Sequence, residues 1–392
     1  MKLLVTIEEA CELVTDGTHY TPKNAGIGIP FLTVKDVTDL ELDFINCSFI
    51  TPEDYIAARD GKSAPQKDDV LFSKDGTVGK VHVVTTDRQF AVLSSLAILR
   101  PKKNMVDTTY FGHVLRSPIV LEDALKRKTG SAIRRIVLSD LKKVKIPLPS
   151  LDEQNKIADV LGRAESLRAK RRAALAKLDE LVQSIFIEMF GDPATNPKGW
   201  PICNIGNLLE SASYGTSEKS EATGDYPVLR MNNITRTGEM DLTDLKFMDL
   251  ADSQKERYLV KAGDVFFNRT NSAELVGKTA IFRDARQMAY AGYLIRLRVN
   301  SQNDPEYLSA FLNTDYSKRM LRGMCKSIIG MANINATEIQ AMKIPQPPLY
   351  LQQEFTRRLL IIERLKATHK ASLAKLDELF ASLQYRAFRG EL

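Results

Sequence analysis

The heptapeptide Leu-Ala-Lys-Leu-Asp-Glu-Leu occurs twice, at Leu175–Leu181 and at Leu373–Leu379, an offset of 198 residues in a chain of 392. The same offset aligns segments far outside it. Ile146-Pro147-Leu148-Pro149 meets Ile344-Pro345-Gln346-Pro347, and Gln154 meets Gln352. Gly17-Thr18 meets Gly215-Thr216, and Val78-Gly79-Lys80 meets Val276-Gly277-Lys278. Coincidence in a helix does not align distant loops. The chain is a tandem duplication of one unit, a globular segment followed by a long helix. Two similar but non-identical halves point to recognition or bridging of something that itself has two parts.

The helices follow from punctuation and periodicity. Between Pro149 and Pro193 lie 43 residues without proline, and Gly162 is the one glycine before Gly191. Ile157, Leu161, Ala164, Leu167, Leu175, Leu178, Val182, Ile185 and Met189 recur in steps of three and four, apart from a gap over Arg171, which marks one amphipathic face. Ser150 with Glu153 is a capping-box pattern, and Gly191-Asp192-Pro193 is a stop. The second copy carries Phe355, Leu359, Ile362, Leu365, Leu373, Leu376, Phe380 and Leu383, with His369 in the gap. Each helix is expected to run about 35–38 residues, or roughly 55 Å at ~1.5 Å per residue. A helix that long with one apolar face is poorly stable alone, so the two stripes are expected to pair. Connectivity makes the pair antiparallel and returns the C-terminus to the first globular segment. Core helices of compact domains seldom run so far without punctuation.

The globular segments read as α+β. Asp68–Ser73 and Gly263–Asn268 look like turns entering buried strands. Leu96–Arg100 and Leu294–Arg298 look like a further strand pair, and Tyr110–Leu115 and Tyr307–Leu312 like short helices. A twisted, largely antiparallel sheet or partial barrel is expected in each.

Composition excludes several classes. With 44% hydrophobic and 27% charged residues the chain reads as globular, and no apolar run reaches membrane-spanning length. Met1–Ile7 is too short for a secretory core and meets Glu8, Glu9 and Glu12. Cys11, Cys47, Cys203 and Cys325 are scattered and read as reduced thiols of a cytoplasmic protein. A net charge of +6 suits nucleic acid without demanding it.

Catalytic constellations are lacking. Ser272–Thr279 resembles a phosphate-binding loop, but serine stands where the leading glycine belongs, and its repeat partner Lys74–Val81 also loses the terminal hydroxyl. The histidines His19, His82, His113 and His369 have no metal-site spacing. Asn196-Pro197-Lys198 lacks the second proline and the aromatic of an adenine-methyltransferase loop. What remains is polar and basic chemistry in matching loops. Thr18, His19, Tyr20 and Lys23 face Thr216, Ser217 and Lys219 across the repeat. Ser73, Lys74 and Thr77 face Asn268, Arg269 and Asn271, and Lys35 faces Asn232 and Asn233 beside Arg230. Lys and Arg suit phosphates and guanine edges, and Asn can be bidentate to adenine. Polar loops on any domain share some of this character, and the mid-helix run Lys170-Arg171-Arg172 fits a solvated face as readily as a contact.

In this setting the sequence resembles the specificity subunit of type I restriction–modification systems along essentially its whole length. The matching residues are Ile146–Gln154, Leu175–Leu181, Met189–Pro193 with Asn196–Trp200, their second copies, and Phe388–Leu392. The second copy departs at the helix cap, with Pro348 in place of Ser150. The resemblance implies target-recognition domains at 1–149 and 193–348, a central conserved helix at 150–192 and a C-terminal one at 349–392. Each domain would read one half of a split, asymmetric sequence in double-stranded DNA. Half-sites one turn apart are separated by ~34 Å, within reach of such helices. Leu161, Leu175, Leu178, Leu181, Leu373, Leu376 and Leu379 would lie on helices that pair and dock two modification (methyltransferase) subunits. Two restriction subunits would join them. S-adenosylmethionine, ATP and Mg would belong to those partners, with no cofactor, metal or catalytic residue in this chain and no membrane contact. The alternatives are a specificity subunit serving a fused methyltransferase–nuclease, and a two-headed scaffold that binds proteins rather than DNA.

Overall fold

The proline-free stretches fold as two uninterrupted helices, Leu151–Phe190 of 40 residues and Leu349–Arg389 of 41, slightly longer than the sequence suggested. The structure, a computed structural model, describes residues 3–38, 41–126, 135–272, 275–324, 326–328 and 331–392. Ser150 caps the first helix as expected: its Oγ accepts from the Glu153 N–H at 3.4 Å, and Glu153 accepts from the Ser150 N–H at 3.1 Å. Pro348 has no such side chain, and both helix entries share a different device. Gln154 and Gln352 are fully buried. Gln154 accepts from the Asp107 N–H and donates to the Met105 and Pro149 carbonyls. Gln352 accepts from the Asp304 N–H and donates to the Pro347 carbonyl. The repeated glutamine therefore ties each long helix to the cap of a short one, Thr108–Leu115 or Pro305–Leu312.

The first helix ends at Gly191, whose φ of 84° suits glycine, and an added Cβ would lie 2.8 Å from the Pro197 ring. Lys198 Nζ donates to the Glu188 and Met189 carbonyls and the Trp200 indole to that of Phe190. The segment Asn196–Trp200 is thus a helix cap, which accounts for its partial likeness to a methyltransferase loop.

The chain forms two units, Met1–Ala173 with Ala371–Leu392, and Ala174–Lys370. Each long helix contributes one part to each unit. In the first unit a four-stranded antiparallel sheet runs in the order Cys11–Asp16, Leu96–Pro101, Val70–Ser73, Val81–Val83. A three-stranded sheet, Ser48–Ile50, Ile29–Leu32, Ala91–Val92, includes one parallel pair. Strand alternation splits the core. Val70, Phe72, Ala97 and Leu99 face Tyr110, Phe111, Ile157, Leu161, Ala387 and Phe388. Leu71, Leu96 and Ile98 face Leu32, Phe90 and Val92.

The second unit repeats this order with Leu209–Tyr214, Leu294–Val299, Val265–Asn268 and Thr279–Ile281. Phe186, Phe190 and Phe355 of the long helices pack on Tyr307 and Phe311 of its core. The repeated Ile-Pro segments also find their reason here. The Pro147 carbonyl accepts from the buried Tyr110 hydroxyl, and that of Pro345 from Tyr307.

Within each unit the helices are antiparallel. In the first, Ile157 shares a core with Ala387 and Phe388, while Arg168 meets Asp377 at 2.6 Å. In the second, Phe186 packs on Phe355 with ring centres 5.8 Å apart, and Lys366 meets Asp179 at 2.6 Å. These ion pairs occupy equivalent positions of the repeat. The last residues of the chain pack on the first unit, as connectivity required. Leu161 is fully buried in that unit's core. Leu175, Leu178, Leu373 and Leu376 are half-buried, and Leu181 and Leu379 are exposed. Leu167 and Leu365, expected on the packed stripe, are about half exposed.

Candidate nucleic-acid interface

The loops that carry the candidate residues are held by shared devices in both units. Gly17 and Gly215 run so close to a neighbouring chain segment that an added Cβ would lie 2.1 Å from the Val92 carbonyl oxygen and 2.3 Å from that of Tyr290. Thr18 and Thr216, both buried, donate their N–H groups to those same carbonyls. The Val-Gly-Lys repeat is a latch. Lys80 Nζ donates to the Val34 and Val37 carbonyls, and Lys278 Nζ to those of Met231 and Ile234. Each lysine closes a short 3-10 turn, Val34–Asp36 or Met231–Asn233. Two of its three donors thereby go to protein carbonyls, which is a different use of the lysine from that in a nucleotide-binding phosphate loop. Residues 273–274 of that stretch lie outside the described residues.

In the first unit the candidates separate into internal and exposed groups. Thr18 Oγ1 donates to the Tyr20 carbonyl at 2.8 Å. Ser73, fully buried, donates to the Thr77 carbonyl and accepts from the Lys80 N–H. Lys74 Nζ lies 2.6 Å from Asp16 Oδ2, with both side chains at least 87% buried. The free oxygen of Asp16 lies 3.3 Å from His19 Nε2, on a ring that is 79% exposed. His19, Tyr20, Lys23, Lys35 and Thr77 face solvent.

The second unit sorts differently. Thr216 and Asn233 are internal; the Asn233 amide accepts from the Arg230 N–H and donates to the Asp241 and Asp244 carbonyls. Arg230 and Asn232 both reach Asp244. Ser217 and Lys219 are exposed. Asn268, at the position of Ser73, is fully buried, yet neither atom of its amide has a hydrogen bond among the described residues. Arg269, at the position of Lys74, is half-buried with no carboxylate partner. Its guanidinium stacks on Tyr214 at 4.8 Å and makes two long contacts of 3.4 Å, to Asn333 Oδ1 and the Gly292 carbonyl. Asn271, half-buried, accepts from the Ser272 N–H.

Sequence reasoning missed Asp16 and Tyr214, the equivalent residues that decide what Lys74 and Arg269 do, and it missed the cations Arg236, Lys318 and Arg322. A basic excess at 318–322 in one copy only was the available signal. Cys11, Cys47 and Cys203 are free thiols, and Cys325 lies outside the described residues. Among the described residues no His, Cys, Asp and Glu cluster could hold a metal, and no helix is long and apolar enough to cross a membrane. Burial lowers the pKa of His82 and His113 to about 4.

Residues 4–177 and 197–378 each match the type I restriction modification DNA specificity domain, so both copies of the repeat carry the family's signature. The chain belongs to this family. Members specify the DNA target and are not themselves catalysts. The specificity subunit of the type I restriction enzyme EcoKI from Escherichia coli K12 is 23% identical over 387 residues, covering 93% of this chain and 82% of its own. The StySPI subunit of Salmonella potsdam is 22% identical with the same coverage. The fold is similar to that of the type I S subunit from M. genitalium, at a TM-score of 0.55 and 15% identity over 99% of this chain and 96% of that one. A chain solved in work on complex assembly and conformational transition of the type I R-M system gives 0.52, with 17% identity over 100% and 98%. For a specificity subunit the loops at Asp16–Lys23, Ser73–Thr77, Thr216–Lys219 and Asn268–Asn271 are the candidate interface.

Proposed function

We propose that this specificity subunit reads a bipartite, asymmetric sequence in double-stranded DNA, one half with each unit. One observation carries this reading: a single scaffold is built twice and then given different chemistry at equivalent loop positions. Asp16 and Lys74 in the first unit become Tyr214 and Arg269 in the second, and His19 and Tyr20 become Ser217 and Glu218. A common framework presents the loops alike, and unlike side chains distinguish unlike base edges.

The exposed and half-buried stripe residues Leu175, Leu178, Leu181, Leu373, Leu376 and Leu379 would serve the helices as docking surface for two modification subunits, with two restriction subunits completing a cleaving complex in the cytoplasm. The modification subunits would bind S-adenosylmethionine and methylate adenine, and the restriction subunits would use ATP and Mg. This chain would supply neither cofactor nor catalytic group. Methylation-aware sequencing of the host genome with and without the gene tests the reading. The expected result is loss of adenine methylation at one split, asymmetric motif. An unchanged methylome in a host that carries the modification subunit would sink it.

A further inference from the structure

We propose that the second unit carries a clamp for the phosphate backbone of duplex DNA, formed by Arg236, Lys278, Lys318 and Arg322, which the first unit lacks. The inference rests on the DNA-reading function proposed above.

Three chain segments bring these cations together. Lys278 Nζ reaches the Ile234 carbonyl, two residues before Arg236. Lys318 Nζ donates to the carbonyl of Gly277, the neighbour of Lys278, at 2.6 Å. Arg322 follows Lys318 by one turn on the helix Asp315–Met324. None of the four has an ion-pair partner among the described residues. Several other cations of the unit are matched: Arg283 with Glu306, Arg298 with Asp264, Arg230 with Asp244, and Lys366 with Asp179 and Glu239.

The four groups burden one another. Burial pushes the Lys318 pKa down to about 8, helped by repulsion from Arg322 and Lys278. Burial and the charge of Arg236 lower that of Lys278. The carbonyls that Lys278 and Lys318 reach offset only part of this repulsion, because they are dipoles and carry no counter-charge. An approaching polyanion relieves the repulsion and takes up the unused donors of Lys318, while Arg236 and Arg322 are exposed to meet it.

Position favours DNA as that polyanion. The Gly277 N–H donates to the Asn268 carbonyl and the Asn268 N–H to that of Lys278, so the clamp is bonded to the strand that ends beside Arg269. Phosphate contacts next to a base-reading residue set its register. The first unit is built otherwise. Counted from the helix caps Ser117 and Thr314, Leu121 and Leu125 stand where Lys318 and Arg322 stand. Leu121 sits against Gly79, where Lys318 reaches Gly277.

The test uses the full chain assembled with its modification subunit, and measures affinity for cognate and random duplex across a salt series. The double variant Arg236→Ala/Arg322→Ala is compared with wild type and with Lys67→Ala/Lys103→Ala, which removes two exposed cations of the first unit that are already paired with Asp87 and Asp68. Each lost phosphate contact lowers the log–log salt slope by about 0.9. The clamp variant should lose about two units of slope and weaken on both duplexes by the same factor, while the control keeps the wild-type slope. An unchanged slope in the clamp variant overturns the proposal, as does weakening confined to cognate duplex, which would make these residues base readers. If wild type binds neither duplex, the DNA reading itself fails.

Discussion

The same two positions of the repeat hold Asp16 with Lys74 in the first unit and Tyr214 with Arg269 in the second, and the exchange changes what the basic residue is for. Lys74 has a carboxylate at 2.6 Å and little exposure, so its charge is spent inside the protein. Arg269 lies on an aromatic face with two long hydrogen bonds, so much of its donor capacity remains open. A scaffold can thus be kept while a loop is turned from an internal tie into a surface with open donors, and the residue across the sheet makes the switch. The helices show the contrast in reverse. Arg168 meets Asp377, supplemented by Arg172 at 3.5 Å, whereas Lys366 is surrounded by Asp179, Glu239 and Glu363. Glu239 comes from the globular part and also binds Lys370, so the second unit is tied to its helix by charge more heavily than the first.

The helix contrast gives the largest expected effect. Lys366→Ala removes an ammonium that is 6% exposed from between three carboxylates that are 20–36% exposed, and should cost about 3 kcal/mol, the low end of the scale of breaking a buried pair. Arg168→Ala removes a more exposed contact and should cost nearer ~1 kcal/mol. Chemical denaturation of the two variants reads the difference; equal losses would abolish the distinction drawn here.

The loop contrast comes next. Lys74→Ala strands the mostly buried Asp16 and should destabilise the first unit by about 3 kcal/mol. Arg269→Ala should leave the melting temperature close to wild type and weaken cognate DNA binding by ~1–3 kcal/mol, with relaxed selectivity in one half of the motif. A stability loss in the Arg269 variant with binding intact would show the two positions to be alike after all.

A smaller effect concerns acid. His113 is buried, its Nδ1 has no hydrogen bond among the described residues, and its pKa is lowered to about 4, first by burial and then by Arg116. The unfolded state takes up a proton near pH 6.5 while the folded state stays neutral until about 4. Stability from this group is therefore full above that window and falls as pH drops through it, by up to roughly 3 kcal/mol. His113→Leu should flatten that part of the stability profile. A profile as steep as wild type would assign the acid sensitivity elsewhere.

The repeat, both helices and the paired strands were legible in the sequence because their signals are local or periodic: the Ser150 cap, the Gly191 stop, and the apolar run Val70–Phe72 entered from a turn. The Ser150 cap and the Gly191 stop bracket the first helix at its observed ends, Leu151 and Phe190, while the length of 35–38 residues undercounted both helices. Loop roles were far less legible. Lys74 and Arg269 read alike as basic loop residues, and only the fold brings Asp16 or Tyr214 across to them. Ser73, Thr18 and Asn233 have ordinary reader chemistry, yet buried partners occupy it. The clamp cations were invisible because Lys278 belonged to an apparent nucleotide motif, and Lys318 and Arg322 to an unremarked short helix.

The central claim is that each unit reads its own half of the target. Replacing residues 193–348 by the corresponding segment of a relative with a known motif, and sequencing the methylome that results, tests it most directly. The account predicts that one half of the methylated motif changes to that of the donor and the other half stays as it was. A change in both halves would contradict it.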